Sequence, residues 1–206
     1  MSKKSKTSAS RFSRGQPTRE SKPLVLIVCE GAKTEPNYFD KLRISKRLST
    51  TEITVYGGDE SGTHPKSVVE YARKKQIEKG KAEGYDHVWC VFDRDEHQNI
   101  EQAFLLAAKY GIKVAFSNPN FELWFLLHYH DQSGALTRYE AIQKLKTYVP
   151  NYEKNVSDMY ERLLDKQPTA IKRAIKLRDM HDGNGDCRKE NPSSKVDLLV
   201  VFLNSL

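Results

Sequence analysis

Two short acidic clusters in this sequence have the residue types and placement to do chemistry. Glu30-Gly31 follows the apolar run Leu24 to Cys29, and Asp93-Arg94-Asp95-Glu96-His97 follows a second apolar run, His87 to Phe92. Runs this short, β-rich and almost wholly apolar read as strands buried on both faces of a parallel sheet. In such a sheet, ligands bind beyond the carboxyl ends of the strands. If the two strands are neighbours, their ends lie about 5 Å apart. Glu30 and Asp93 then share one crevice, and the period of two in extended chain puts Asp95 on the same side as Asp93, with Arg94 opposite. Carboxylates that close repel unless a proton or cation compensates them, and a hard divalent ion with oxygen ligands, Mg²⁺ or Mn²⁺, is the natural compensator. Gly31 lets the backbone approach closely, while Lys33 stands where the free N–H groups of a helix start favour a phosphate. Metal beside a basic cradle suits phosphodiester chemistry. A lone D-x-D reads equally well as a helix cap; its pairing with Glu30 after a second buried strand is what favours a site.

Other candidates carry less. His97 reads as a cap or surface residue. His128 and His130, two apart, point to different faces of a helix. His181 and Cys187 have no zinc-site spacing. The loop from Gly57 to Ser67 does not satisfy the phosphate-loop pattern, since Gly62 is followed by Thr63 and Lys66 lies too far on. Trp124 and Phe125 could stack on bases, but beside Leu126 and Leu127 they read as core.

The elements that must position the acids follow from the alternation of strand-like and helix-like segments. A helix is expected from Thr34-Glu35-Pro36 to about Arg47, with Thr34 as its cap, then a strand over 52–56 and a helix opening at Pro65. A helix containing Ile100, Phe104 and Leu105 is closed by Gly111, and a strand covers 112–116. Three βαβ units in series imply parallel strands, right-handed crossovers and an open three-layer α/β sheet. Beyond Ser117 the pattern predicts helices only: 121–130, 136–147, 155–166, 168–182 and 195–204.

Composition bounds the class. The chain has 206 residues, 38% apolar and 30% charged, and no apolar stretch approaches the roughly 20 residues a bilayer needs, so it reads as globular, with no membrane association. Three cysteines without paired spacing suit a reducing cytoplasm. Of the formal net charge of +7, +6 lies in residues 1–23, where seven Lys/Arg face Glu20 alone. With Met1 and Phe12 as its only large apolar side chains, this basic tail cannot repay the entropy of folding and is expected to be disordered, either as a solubilising terminus or as a phosphate-binding arm. The division is therefore a tail (1–23), an α/β domain (24–118) and a helical C-terminal extension (119–206).

Glu-Gly after the first strand and Asp-x-Asp after the third resemble the Toprim domain of topoisomerases, bacterial primases and the overcoming-lysogenisation-defect nucleases, a Rossmann-like fold. The longer strings Cys29-Glu-Gly-Ala-Lys-Thr-Glu-Pro-Asn-Tyr-Phe39, Phe92-Asp-Arg-Asp-Glu-His97, Ser117-Asn-Pro-Asn-Phe-Glu-Leu-Trp-Phe-Leu-Leu-His128 and Asn191-Pro-Ser-Ser-Lys-Val196 resemble the RloB-like family. The resemblance runs from about Leu24 to the C-terminus. It implies a Mg²⁺-dependent Toprim nuclease acting on DNA or RNA, tRNA included, in phage defence by abortive infection, with an ABC-type ATPase as partner. It carries the general acid/base role to Glu30 and metal binding to Asp93 and Asp95, with Glu30 able to complete the metal site; Glu35 and Glu122 fall in matching motifs as supporting or additional metal positions. Ala32 and Asn120 depart from the family pattern and bear on substrate preference. Self-association into a homo-oligomer stays open. A Toprim-like module that binds nucleic acid or a partner without cleaving it is the rival reading. Against it stands the concentration of negative charge where phosphates must approach. A D-x-D phosphatase would place its motif after the first strand, and a nucleotide-sugar transferase would not require Glu30.

Overall fold

The structure, a computed structural model, describes residues 23–55, 64–80, 84–94, 100–181, 186 and 188–206. The basic tail up to Lys22, the loop residues 57–63, Asp95, His97 and Cys187 lie outside the described residues.

The chain runs β1 (Val25–Cys29), α1 (Thr34–Ser45), β2 (Thr51–Val55), α2 (Pro65–Lys79), β3 (His87–Asp93), α3 (Ile100–Tyr110), β4 (Lys113–Asn118), α4 (Glu122–Leu127), α5 (Arg138–Tyr148), α6 (Met159–Leu163), α7 (Gln167–Met180), β5 (Ser193–Ser194) and α8 (Val196–Asn204). The sheet order is β2-β1-β3-β4-β5, parallel throughout except for β5, which pairs antiparallel to β4. The chain moves outward from β1 to β2, returns to β3 on the other side of β1, and continues to β4. This reversal makes the β1/β3 boundary a topological switch point, where open α/β sheets place their ligand crevice.

Strand parity builds the layers. Val25, Ile27, Cys29, Trp89, Val91 and Ala115 face one core, which α1 and the helices after residue 118 cover. Leu26, Val28, Val88, Cys90, Phe92 and Phe116 face the other, covered by α2 and α3. Both sides of the central strands are fully apolar, as their composition demands. On the first face, Tyr38 of α1 meets Phe121 and Phe125 at 5.9 and 5.6 Å between ring centroids, and those two rings meet edge-on at 5.2 Å. Such contacts add about 0.5–1.5 kcal/mol each beyond buried area, and they fix α1 against α4. Trp124 and Phe125 are buried core residues. No helix among the described residues is long and apolar enough to cross a membrane.

Four expectations need correction. Thr34 is the first helical residue rather than the cap; Lys33 holds the cap position, and the Thr34 hydroxyl donates instead to the Lys154 carbonyl at 2.7 Å. Helix α1 stops at Ser45, and Arg47 turns to a positive φ of 54° just beyond it. The segment 155–166 is helical only from Met159, with a 3₁₀ turn at Leu164–Lys166 before α7, whose first turn contains Pro168. Beyond Ser117 the chain is not purely helical: β4 extends to Asn118, and its last two residues pair with Ser194 and Ser193. Gly111 does close α3, at φ 66°.

Candidate functional site

The ladder between β1 and β3 sets Cys29 opposite Val91, and the Glu30 N–H extends it by donating to the Val91 carbonyl at 2.9 Å. Glu30 and Asp93 therefore leave the sheet side by side, and the Asp93 N–H donates to Glu30 Oε2 at 3.3 Å. Asp93 shares parity with Trp89 and Val91, so it points to the face covered by α1, α4 and α5. The first turn of α1 returns Glu35 to the same crevice. Gly31 makes that return possible, because a Cβ there would lie 2.1 Å from Glu35 Oε2. From the other side α4 contributes Glu122, whose Oε1 accepts from the Tyr152 hydroxyl at 3.1 Å. Arg138, first residue of α5, sets a guanidinium nitrogen 4.0 Å from Asp93 Oδ2. Lys154 arrives on the segment between α5 and α6, which the Thr34 bond ties to the start of α1. These side chains, with Lys33, Ala32 and Phe121, line a cavity of about 310 Å³.

Burial dominates the electrostatics. It raises Glu30 from 4.5 to about 7; Glu35 pushes the same way, and the Asp93 N–H and Arg138 restrain it. Burial likewise raises Glu35 to about 7, with Glu122 adding to the rise and its own backbone N–H, Lys154 and Arg138 opposing it. Asp93 is held well above its ordinary range by burial, then by Glu35 and Glu122, against Arg138 and the Phe121 backbone. Near neutral pH these carboxyls therefore hold protons more readily than exposed acids do. Glu30 Oε1 and Asp93 Oδ1 are buried without a hydrogen-bond partner. Adjacent orphaned carboxylate oxygens of this kind fit a hard cation. Among the described residues no group of three or more His, Cys, Asp or Glu is drawn together in ion-holding geometry, and Asp95, named from the sequence as a ligand, lies outside them.

The family model described as RloB-like protein matches residues 25–203. The chain belongs to the RloB-like family. No curated protein and no solved structure matches it. The RloB-like match spans β1 to α8, so it takes in the acids at the strand ends and the cations that follow them.

Of the residues singled out from this RloB-like sequence, the structure brings Glu30, Lys33, Glu35, Asp93 and Glu122 to one cavity. Arg138 and Lys154 escaped sequence reasoning. One signal was available for Arg138: Thr137 and Glu140 form a capping box, and a cation directly after the cap runs against the helix dipole. Lys154 carries no local signal. Asn120, a departure from the family pattern, is fully buried and donates from Nδ2 to the Arg138 carbonyl at 3.4 Å, so it helps seat α5 at the rim. His128 is away from the cavity; its Nδ1 pairs with the Trp124 carbonyl at 2.8 Å, and burial lowers it to about 4.

Proposed function

We propose that this RloB-like chain is a metal-dependent nuclease with a Toprim-like active centre at the β1/β3 switch point. The observation that carries the reading is the meeting of Glu30, Glu35, Asp93 and Glu122 in one cavity, with two carboxylate oxygens lacking partners and Lys33, Arg138 and Lys154 around the acids. Asp93, Glu30 and, from the sequence, Asp95 would hold Mg²⁺ or Mn²⁺, which supplies Lewis-acid polarisation of a phosphate oxygen when bound. Arg138 and Lys154 bind and orient the phosphodiester, and Lys33 adds charge where the free N–H groups of α1 begin. Glu30 takes one of two roles: it completes the metal site, or, left outside it with its carboxyl raised to about 7 by burial, it holds or moves a proton at Oε1 near neutral pH. A pure binding module has no use for buried acids facing a polyanion, which favours cleavage over the rival reading.

The test is incubation of the purified protein with plasmid, single-stranded DNA and total tRNA in Mg²⁺ or Mn²⁺. Cleavage that EDTA abolishes and Asp93→Asn removes is expected. Full activity in chelator sinks the metal argument, and nucleic-acid binding without turnover assigns the chain to the binding-module reading. The family resemblance further suggests a cytoplasmic abortive-infection effector controlled by an ABC-type ATPase. Coexpression with the ATPase and pull-down should recover the pair. Undiminished phage protection without the ATPase gene would refute that control.

A further inference from the structure

The outer edge of β4 is only half covered. The Ser117 carbonyl accepts from Arg94 on the β3 side at 2.8 Å, while the Phe116 carbonyl accepts from Lys195 on the opposite side at 2.8 Å. Backbone groups alternate along a strand, so the N–H and C=O of Val114 point outward, to the same side as those of Phe116. Pairing with β5 reaches only Ser117 and Asn118. Among the described residues, the edge from Lys113 to Ala115 has no strand beside it.

Alongside that edge lies a cavity of about 330 Å³ that wraps from α3 to α8. Its walls are apolar, with Phe104 and Ala108 on one side and Val114 and Leu198 on the other, and among the described residues its charged lining is Lys113 and Lys195. Helix α8 is apolar nearly all round, yet Leu198 and Val201 are 42% and 47% exposed. A helix of that composition is normally covered on every side.

We infer that the β4 edge is a docking site for an extended segment of another protein, added as a strand beside Val114, with its apolar side chains on the α3 face, against Phe104 and Ala108, and its alternate, acidic ones on the α8 face, where Lys113 lies over Trp89 and Phe202, with Lys195 at the end of the same edge. Charge decides the occupant. A second copy pairing across a two-fold axis would set these lysines against their own counterparts. The basic segment 1–23, with seven Lys/Arg against one Glu, is repelled by the same pair. A lysine on an edge strand deters pairing between identical chains, and it leaves an acidic strand attracted. Main-chain bonds supply affinity in this recognition mode and the side-chain pockets supply selectivity. The site is separate from the acidic cavity.

Fluorescence anisotropy with labelled hexapeptides tests this on the full chain. The probes are a peptide alternating valine and glutamate, its valine–lysine counterpart, and the valine–glutamate peptide N-methylated on alternate amides. The glutamate peptide is expected to bind with an affinity that falls as salt rises, the lysine peptide to bind at least tenfold more weakly, and N-methylation to cost at least tenfold. Lys113→Glu combined with Lys195→Glu should reverse the preference, and Ala108→Trp, at an exposed position of α3 that lines the groove, should abolish binding. Equal binding of the two charge types, indifference to N-methylation, or no binding of any peptide overturns the inference. Concentration-dependent dimers in sedimentation that Leu198→Asp dissolves would give the face to a second copy and overturn it too. Because the decisive comparisons vary the peptide on the wild-type protein, they hold even if a variant misfolds.

Discussion

Replacing Gly31 by Ala separates the chemistry of the cavity from the stability of the fold. The added Cβ would lie 2.1 Å from Glu35 Oε2 and 2.6 Å from Glu35 Cδ. Ordinary contact between such atoms is about 3.5 Å, so the carboxylate must retreat by more than 1 Å or so. Gly31 is not among the residues with positive φ, so alanine meets no backbone strain there. The atoms it strikes are the free end of a side chain, and reduced freedom of the unfolded chain gives back about 0.4–1 kcal/mol. Global stability should therefore change by less than about 1 kcal/mol, a shift of a few degrees in Tm for a domain of this size. Activity should behave otherwise. A misplacement of about 1 Å at a reacting centre can cost on the order of 100-fold. Glu35 pushed from its buried position should also titrate closer to an ordinary glutamate than to about 7. Differential scanning calorimetry, a nuclease rate at saturating substrate and carboxyl titration by NMR read the three quantities. A Gly31→Ala protein with wild-type rate and unmoved Glu35 titration would refute the placement of Glu35 in the chemistry; one that fails to fold would refute the claim that Gly31 serves the cavity rather than the core.

Three further outcomes are expected. Glu30 and Glu35 have folded values near 7 against unfolded values near 4.5, so between those limits the folded state holds more protons and metal-free stability falls as pH rises, by up to about 1.4 kcal/mol per pH unit for each group; chemical denaturation in EDTA from pH 5 to 8 should show this slope, and a rise in stability over that range would contradict it. Arg178 grips Asp197 with two bonds of 2.6 and 2.8 Å and also donates to the Ser194 carbonyl at 3.0 Å, so Arg178→Met should cost about 3–5 kcal/mol by stranding a buried carboxylate, whereas Arg178→Met with Asp197→Leu should recover most of it in urea melts. Deleting residues 1–22 should weaken nucleic-acid binding and flatten its salt dependence while leaving the saturated cleavage rate unchanged, and an unaltered salt slope would return the tail to a solubilising role.

The parallel sheet was legible because Leu24 to Cys29 and His87 to Phe92 are apolar without alternation, a pattern that only burial on both faces explains. The pairing of Glu30 with Asp93 followed from those strands being neighbours. β5 was not legible: Ser193-Ser194 has no strand propensity of its own and becomes a strand only because β4 runs on to Asn118 and presents an edge. Arg138 and Lys154 were missed for a related reason. Neither is close in sequence to the acids it meets; Asn120, bonded to the Arg138 carbonyl, helps seat one, and the Thr34 bond to the Lys154 carbonyl holds the other. Local pattern reports an element and its buried face; it does not report which distant loop closes over that face.

The separate suspension of floor and rim in the acidic cavity has an evolutionary consequence. Glu30 and Asp93 stand at the ends of hydrogen-bonded strands, so moving them means re-registering a sheet whose every inward side chain would change face. Arg138 sits at one helix start, steadied from Asn120, and Lys154 on an irregular segment held by one side-chain bond. Drift at 120, 138 and 154 can therefore alter the cations around the cavity while the carboxylates stay where they are. Directed evolution aimed at a new ligand should accumulate its changes in these rim positions and leave the strand ends untouched.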